Sequence, residues 1–198
     1  AGTIILLCNA IVTIMQGYGW NLQPVENADS SILVSIASPI AVLLIPLGFG
    51  VWQMAAASVT GFIAKENVVG TLASVYAISN FINTEELALV EGAGADVASV
   101  LGLTSASALA CMMFNLFTPP CFAAIGAMNA EIKDKKWLFG GVCLQLATGY
   151  TVAFLAYHIG TLIMEGTVGT GFVPGLLAIG VMVAIVLYLI SIADKKAK

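Results

Sequence analysis

Apolar residues along this chain gather into long runs separated by short polar clusters. Six runs stand out, at residues 3–16, 31–48, 51–80, 97–117, 137–164 and 172–192. A hydrocarbon core about 30 Å thick takes about 20 apolar residues of helix, so runs of this kind predict transmembrane helices. The first run is short and begins at the first residue with no polar flank or initiator methionine. It therefore reads as the tail of a longer span, and the chain as an excerpt. No basic segment precedes it and no cleavage site ends it, so it does not read as a signal peptide. The second run contains Pro39 and Pro46, each of which removes a backbone donor, and a broken or re-entrant helix is predicted there.

Composition agrees with the pattern. Of 198 residues, 60% are hydrophobic and only 9% are charged, with a mean hydropathy of +1.00. Soluble domains carry roughly 25% charged residues, so a soluble globule, a disordered tail and a nucleic-acid binder are all excluded. All seven basic residues are lysines, set against eleven acids and a single histidine, His158. Without arginine there is no guanidinium fork for phosphate or carboxylate. Cys8, Cys111, Cys121 and Cys143 fall inside apolar runs with no CxxC spacing, which suggests neither a disulfide framework nor a zinc ribbon.

The lysines set an orientation. Lys133, Lys135 and Lys136 occupy one connection and Lys195, Lys196 and Lys198 the C-terminus, with two predicted spans between the clusters. Cytoplasmic loops collect lysine, so both clusters are expected in the cytoplasm. The remaining connections hold Glu26 and Asp29, then Glu85, Glu86, Glu91 and Asp96, then Glu165, and no lysine. Six crossings with both termini cytoplasmic satisfy every loop.

Two constellations carry chemistry inside the predicted membrane. Lys65 and Glu66 lie near the middle of the third run, where either charge costs at least about 2.5 kcal/mol by insertion scales. On a continuous helix the two point about 100° apart, so each needs its own partner or water. Glu66 and Asn67 offer oxygens to a cation pathway, and Lys65 reads as a structural counter-charge; the alternative is a buried ion pair that fixes helix packing. Gly61, Gly70 and Ala55-Ala56-Ala57-Ser58 make this segment thin and predict close helix contact.

The second constellation is Asn115-Leu116-Phe117-Thr118-Pro119-Pro120-Cys121, where an apolar helix meets two prolines and a new segment runs to Glu131. Thr118 is expected to cap that segment and to place Cys121 in its first turn, a position that favours a negative side chain. Cys121 is then the cysteine best placed to act as a thiolate ligand, with space-filling as the alternative. Cys111, Met112 and Met113 add soft sulfur upstream, although buried cysteine and methionine ordinarily fill space. His158 has no second imidazole or carboxylate at helical spacing, so an interfacial hydrogen bond is expected of it rather than a metal. Gln145 and Thr148 are expected to bond between helices. The glycines at 17 and 19, 92 and 94, and 169 and 171 read as loop residues. No GxxxxGK[ST] and no HExxH occurs, so neither nucleotide-driven pumping nor zinc proteolysis is written into this chain.

Residues 46–53, Pro-Leu-Gly-Phe-Gly-Val-Trp-Gln, leading into Gly61-Phe62-Ile63-Ala64-Lys65-Glu66-Asn67-Val68-Val69, together with Pro119-Pro120-Cys121 followed by Glu131 and Trp137, resemble the second gate region of the ferrous iron transport protein B family. The opening Ala1-Gly2-Thr3-Ile4-Ile5-Leu6 resembles the family as well. The resemblance implies an all-α, polytopic transmembrane helical bundle with broken or re-entrant helices, a single gate-type membrane domain over residues 1–198. It implies Fe2+ as the transported ion, met by Cys121, Glu66 and Asn67, with no permanently bound cofactor and no catalysis in this chain. It further implies a GTPase domain and a first gate elsewhere in the transporter, small cytoplasmic Feo accessory proteins as partners, room for a homo-oligomer, and a bacterial or archaeal cytoplasmic membrane. Two other functions stay open: a permease for nucleosides or other organic solutes, and a membrane accessory protein that carries no flux.

Overall fold

The computed structural model describes residues 2–21, 23–24, 30–63, 65, 67–75, 82–83, 88–89 and 101–197. The described residues are overwhelmingly helical and fall into two compact units. The first comprises residues 1–45, 49–104 and 121–123, and the second residues 46–48, 105–120 and 124–198.

In the first unit, α1 (Gly2–Gly17) and α2 (Ile32–Leu44) are followed by a 3-10 turn (Ile45–Leu47), α3 (Trp52–Ile63), α4 (Asn67–Val75) and a two-residue antiparallel pair, β1 (Ile82–Asn83) with β2 (Ala88–Leu89). Leu33, Ala37, Ala41 and Leu44 form the buried face of α2, at the three- to four-residue spacing of one helical stripe. Val42 and Leu43, each 62% exposed, lie on the other side. In a membrane span such residues meet lipid. The helix runs straight through Pro39. Proline removes one amide there, but the break expected of the second run comes only at Pro46, in the 3-10 turn. The chain then bends by 102° into α3. Gly50 makes this tight course feasible, because a Cβ there would collide with the backbone of Ile45.

The buried side of α3 is Met54, Ala55, Ala56, Ala57, Ser58, Thr60 and Gly61. The predicted close contact is therefore present, and its partners are α2 and α4. The third apolar run, expected as one span, is two short helices instead. Thr60 Oγ1 lies 2.9 Å from Thr71 Oγ1, both residues being buried. Eleven residues of continuous helix would separate them by about 16 Å along the axis, so α3 and α4 fold back on each other as a hairpin. The break falls between Ile63 and Asn67, with Lys65 in a turn. A turn suits a lysine in an apolar run, since a half-helix terminus can face water or a partner where the middle of a helix cannot.

In the second unit, α5 (Ser105–Phe117) packs along α7 (Lys135–Glu165), with α6 (Phe122–Ile132) between them in sequence and α8 (Phe172–Ala197) at the end. A Cβ on Gly149 would lie 3.1 Å from Thr118 N and one on Gly160 3.0 Å from Ala106 Cβ. Rising residue number on α7 thus meets falling number on α5, and the pair is antiparallel with a glycine seat at each end. Residues 166–171 return the chain to α8, with Gly166 at φ 69° and Gly171 at φ 80° supplying left-handed turns.

Among the described residues, α7 and α8 (over Phe172–Ser191) are the single helices long and apolar enough to cross a membrane, and the bent pair α2–α3 brings the total to three if it counts as one span. Six continuous spans are not present among the described residues. The described part of the fourth run, α5, has 13 residues, about 20 Å of helix against a core of about 30 Å. Hydropathy registers apolar content and is blind to whether the chain continues or doubles back.

Candidate functional site in the first unit

The hairpin α3–α4 presents its turn as a site. Ile63 ends α3, Asn67 opens α4, and the Lys65 carbonyl accepts from Val68 N at 3.3 Å. The Thr60–Thr71 bond, with Thr60 also donating to the Ala57 carbonyl at 3.0 Å, closes the hairpin just beneath the turn. Lys65 is exposed, while Glu66 and the side chain of Asn67 lie outside the described residues.

Cys121, half-buried, belongs to the same compact unit. The Lys65 ammonium lies within electrostatic reach of its sulfur. Lys65 and Cys121, expected separately from the sequence, thus fall in one compact unit at electrostatic range. No periodicity could have supplied that grouping, because the two residues are far apart in the chain and both flank helix breaks.

The local setting of Cys121 differs from expectation in one respect. The Thr118 hydroxyl donates backward to the Asn115 carbonyl at 3.3 Å, and Thr118 N bonds Phe114 O at 3.0 Å. Thr118 thus bonds back to α5, and Cys121 stands immediately before the first residue of α6 instead of in its first turn. The prolines explain the shift, since they separate the threonine from the helix it was expected to cap. Cys121 still adjoins a helix start, whose free N–H groups favour negative charge.

The other cysteines are differently placed. Cys111, Cys121 and Cys143 are free thiols, but the Asn115 amide donates to both the carbonyl (3.0 Å) and the sulfur (3.6 Å) of Cys111, tying it to its own helix. The Cys8 side chain lies outside the described residues. Among the described residues no three His, Cys, Asp or Glu side chains group to hold a metal ion.

His158, expected at an interface, is buried at 6% exposure. Its Nε2 lies 3.1 Å from the Pro46 carbonyl, an acceptor, so Nε2 carries the proton and Nδ1 is left without a partner. The ring packs against Phe154, Tyr157 and Phe172 at centroid distances of 4.2, 4.9 and 5.1 Å. Gly48, Gly171 and Gly175 let this cluster close on residues 46–48, because added Cβ atoms would strike Tyr157, Pro46 and Phe154 respectively. Thr148, expected to bond between helices, bonds the Leu144 carbonyl of its own helix at 2.8 Å. Gln145 Oε1 is buried with no partner among the described residues.

A hairpin with a lysine in its turn and a cysteine at another helix break thus share one compact unit, in a protein whose described helices include ones long and apolar enough to cross a membrane. The chain matches the Gate (nucleoside recognition) family model over residues 1–135 and belongs to that family. It is similar to the Fe(2+) transporter FeoB of Staphylococcus aureus strain COL, 31% identical over 164 residues that cover 82% of this chain and 22% of the relative. The Methanocaldococcus jannaschii Fe(2+) transporter FeoB is 31% identical over 173 residues, 82% of this chain and 23% of that protein. A Porphyromonas gingivalis fusion of Fe(2+) transport protein A with Fe(2+) transporter FeoB is 30% identical over 142 residues, 70% of this chain and 17% of the fusion. The chain spans about a fifth of the length of these relatives. No solved structure matches it.

Proposed function

We propose that this chain is the gate module of a ferrous iron permease in a bacterial or archaeal cytoplasmic membrane, with Cys121 contacting the ion. The observation that carries the proposal is the α3–α4 hairpin, closed by the Thr60–Thr71 bond with Lys65 in its turn and with Cys121 in the same compact unit. Ferrous iron is a borderline cation that accepts thiolate, carboxylate and carbonyl ligands. In this reading the ammonium companions the sulfur when no ion is present, and an arriving Fe2+ binds the sulfur directly and displaces it. Glu66 and Asn67, flanking the same turn, supply oxygen ligands. Iron enters through the names of the relatives, as does association with small Feo proteins, for which the Porphyromonas fusion is the support. GTP hydrolysis would reside on a domain outside this chain.

The cluster at residues 133–136 and the end of α8 are separated by two crossings, α7 and α8, and are placed in the cytoplasm by their lysines. An N-terminus on the same side requires an even number of crossings before Lys133. The description of the family favours a second reading, a nucleoside permease; organic solutes need stacking rings, and the rings of Phe154, Tyr157 and Phe172 are packed around His158. Uptake of 55Fe and of a radiolabelled nucleoside by the parent transporter in proteoliposomes separates the two. Iron uptake that falls in Glu66→Ala and Glu66→Gln alike supports the ion pathway. Normal uptake per molecule with reduced thermal stability would instead make Glu66 a packing residue.

A further inference from the structure

The corner between α6 and α7 has no role in the gate. Lys133 occupies it at φ 55°, a left-handed conformation uncommon for a non-glycine residue. The corner is held by Lys133 N bonding Asn129 O at 3.2 Å and by Asp134, whose carboxylate accepts from Lys136 N at 2.8 Å. Residues 131–137 are all exposed. Three lysines thus project from a fixed turn. Lys135 and Lys136 stand in the first turn of α7, where the helix dipole opposes positive charge, so the helix itself gains nothing from them. Two acids accompany them: Asp134, turned toward the helix start it caps, and Glu131, at the end of α6.

Below the lysines the chemistry changes in order along the helix axis. Trp137 and Phe139 are each 63% exposed, and Leu144 is 51% exposed. Trp137, Gly140, Gly141 and Leu144 follow the spacing of one helical face, and a Cβ at either glycine would meet nothing within 4 Å. The two glycines therefore leave a notch in the helix face between Trp137 and Leu144. With 31 residues, α7 is about 46 Å long, longer than a hydrocarbon core of about 30 Å. Its length is enough for the lysine end to reach headgroup depth while the rest of the helix spans the core.

We propose that this corner is a binding site for an anionic phospholipid, with the phosphate against Lys133, Lys135 and Lys136, the glycerol region beside Trp137, and one acyl chain in the notch over Gly140 and Gly141. Charge complementarity selects the occupant: exposed lysines at headgroup depth attract anionic lipid over zwitterionic lipid, and an interfacial tryptophan sits beneath them. The site is independent of which solute the gate passes.

The test uses the whole chain in nanodiscs, with Trp20→Phe and Trp52→Phe leaving Trp137 as the fluorophore. Brominated phosphatidylglycerol should quench Trp137 at least about two-fold more than brominated phosphatidylcholine at the same mole fraction. Lys133→Gln, Lys135→Gln and Lys136→Gln together should bring the two to parity. Native mass spectrometry of the chain with all three tryptophans gives a second readout, in which phosphatidylglycerol adducts should outnumber phosphatidylcholine adducts and fall in each single lysine variant. Equal quenching by the two lipids, a preference that survives the triple substitution, or a Trp137 that neither lipid reaches because a protein segment covers it would each overturn the proposal.

Discussion

Residues 51–80 and 137–164 are apolar runs of comparable length, yet the first becomes the hairpin α3–α4 and the second lies within the single 31-residue helix α7. Glycine does not separate them, since α7 stays helical through Gly140, Gly141, Gly149 and Gly160. What separates them is where polar groups go. Along α7, Thr148, Thr151 and Thr161 each bond a carbonyl one turn back on the same helix, at 2.7 to 2.8 Å. In the hairpin, Thr60 bonds across to Thr71, and Lys65 sits in the turn between the helices. A lysine in an apolar run thus marks a place where the chain reverses and exposes a turn, whereas hydroxyls can be absorbed by the helix that carries them.

The largest effect should come from the turn's partner. Cys121→Ser in the parent transporter is expected to lower Fe2+ uptake by about ten-fold or more, about 1.4 kcal/mol, because a hydroxyl is a poor ligand for a borderline ion. Cys143→Ser should leave uptake near normal. Equal losses in both variants would point to packing. The hairpin closure comes next. Thr60→Val or Thr71→Val should each destabilise the protein by about 1 kcal/mol, and the double variant should cost less than the sum because both singles break one bond. Thermal unfolding in detergent reads this, and strict additivity would mean that the hydroxyls act independently.

The smallest effects contrast seats along α7. Gly149→Ala forces a Cβ to 3.1 Å from Thr118 N and 3.0 Å from Thr118 Cγ2, and should lower stability by about 1 kcal/mol or more through overpacking. Gly141→Ala enters open space and should be neutral or stabilising by up to about 1 kcal/mol. A reversed order in the melting temperatures would break the assignment of Gly149 as the seat of α5.

How much was legible in the sequence follows the same division. α7 and α8 were readable because their ends carry Lys135 and Lys136, Glu165 and Lys195, and because nothing within them resists the bilayer. The proline rule located the bend at Pro46 but also flagged Pro39, which α2 absorbs. The site residues Lys65 and Cys121 were each visible as chemical oddities in apolar surroundings. Their membership of one compact unit was not, since it depends on the reversal between Ile63 and Asn67, and apolar content is the same for a span and for a hairpin. His158 was misplaced for a related reason: its bond to Pro46 joins segments that no local pattern connects.

The proposed ion path requires the hairpin turn at Lys65 and Cys121 to lie at one site. Its most direct test places a second thiol at the turn, Lys65→Cys, in a background where Cys8, Cys111 and Cys143 are serine, and treats membranes with a short bifunctional thiol reagent. The account predicts rapid intramolecular cross-linking between positions 65 and 121, which tryptic mass spectrometry would locate, and no comparable product when the new cysteine replaces Val69 on α4 instead. A continuous helix through residues 51–80 with Cys121 elsewhere would give no 65–121 product above that control, and that result would contradict the account.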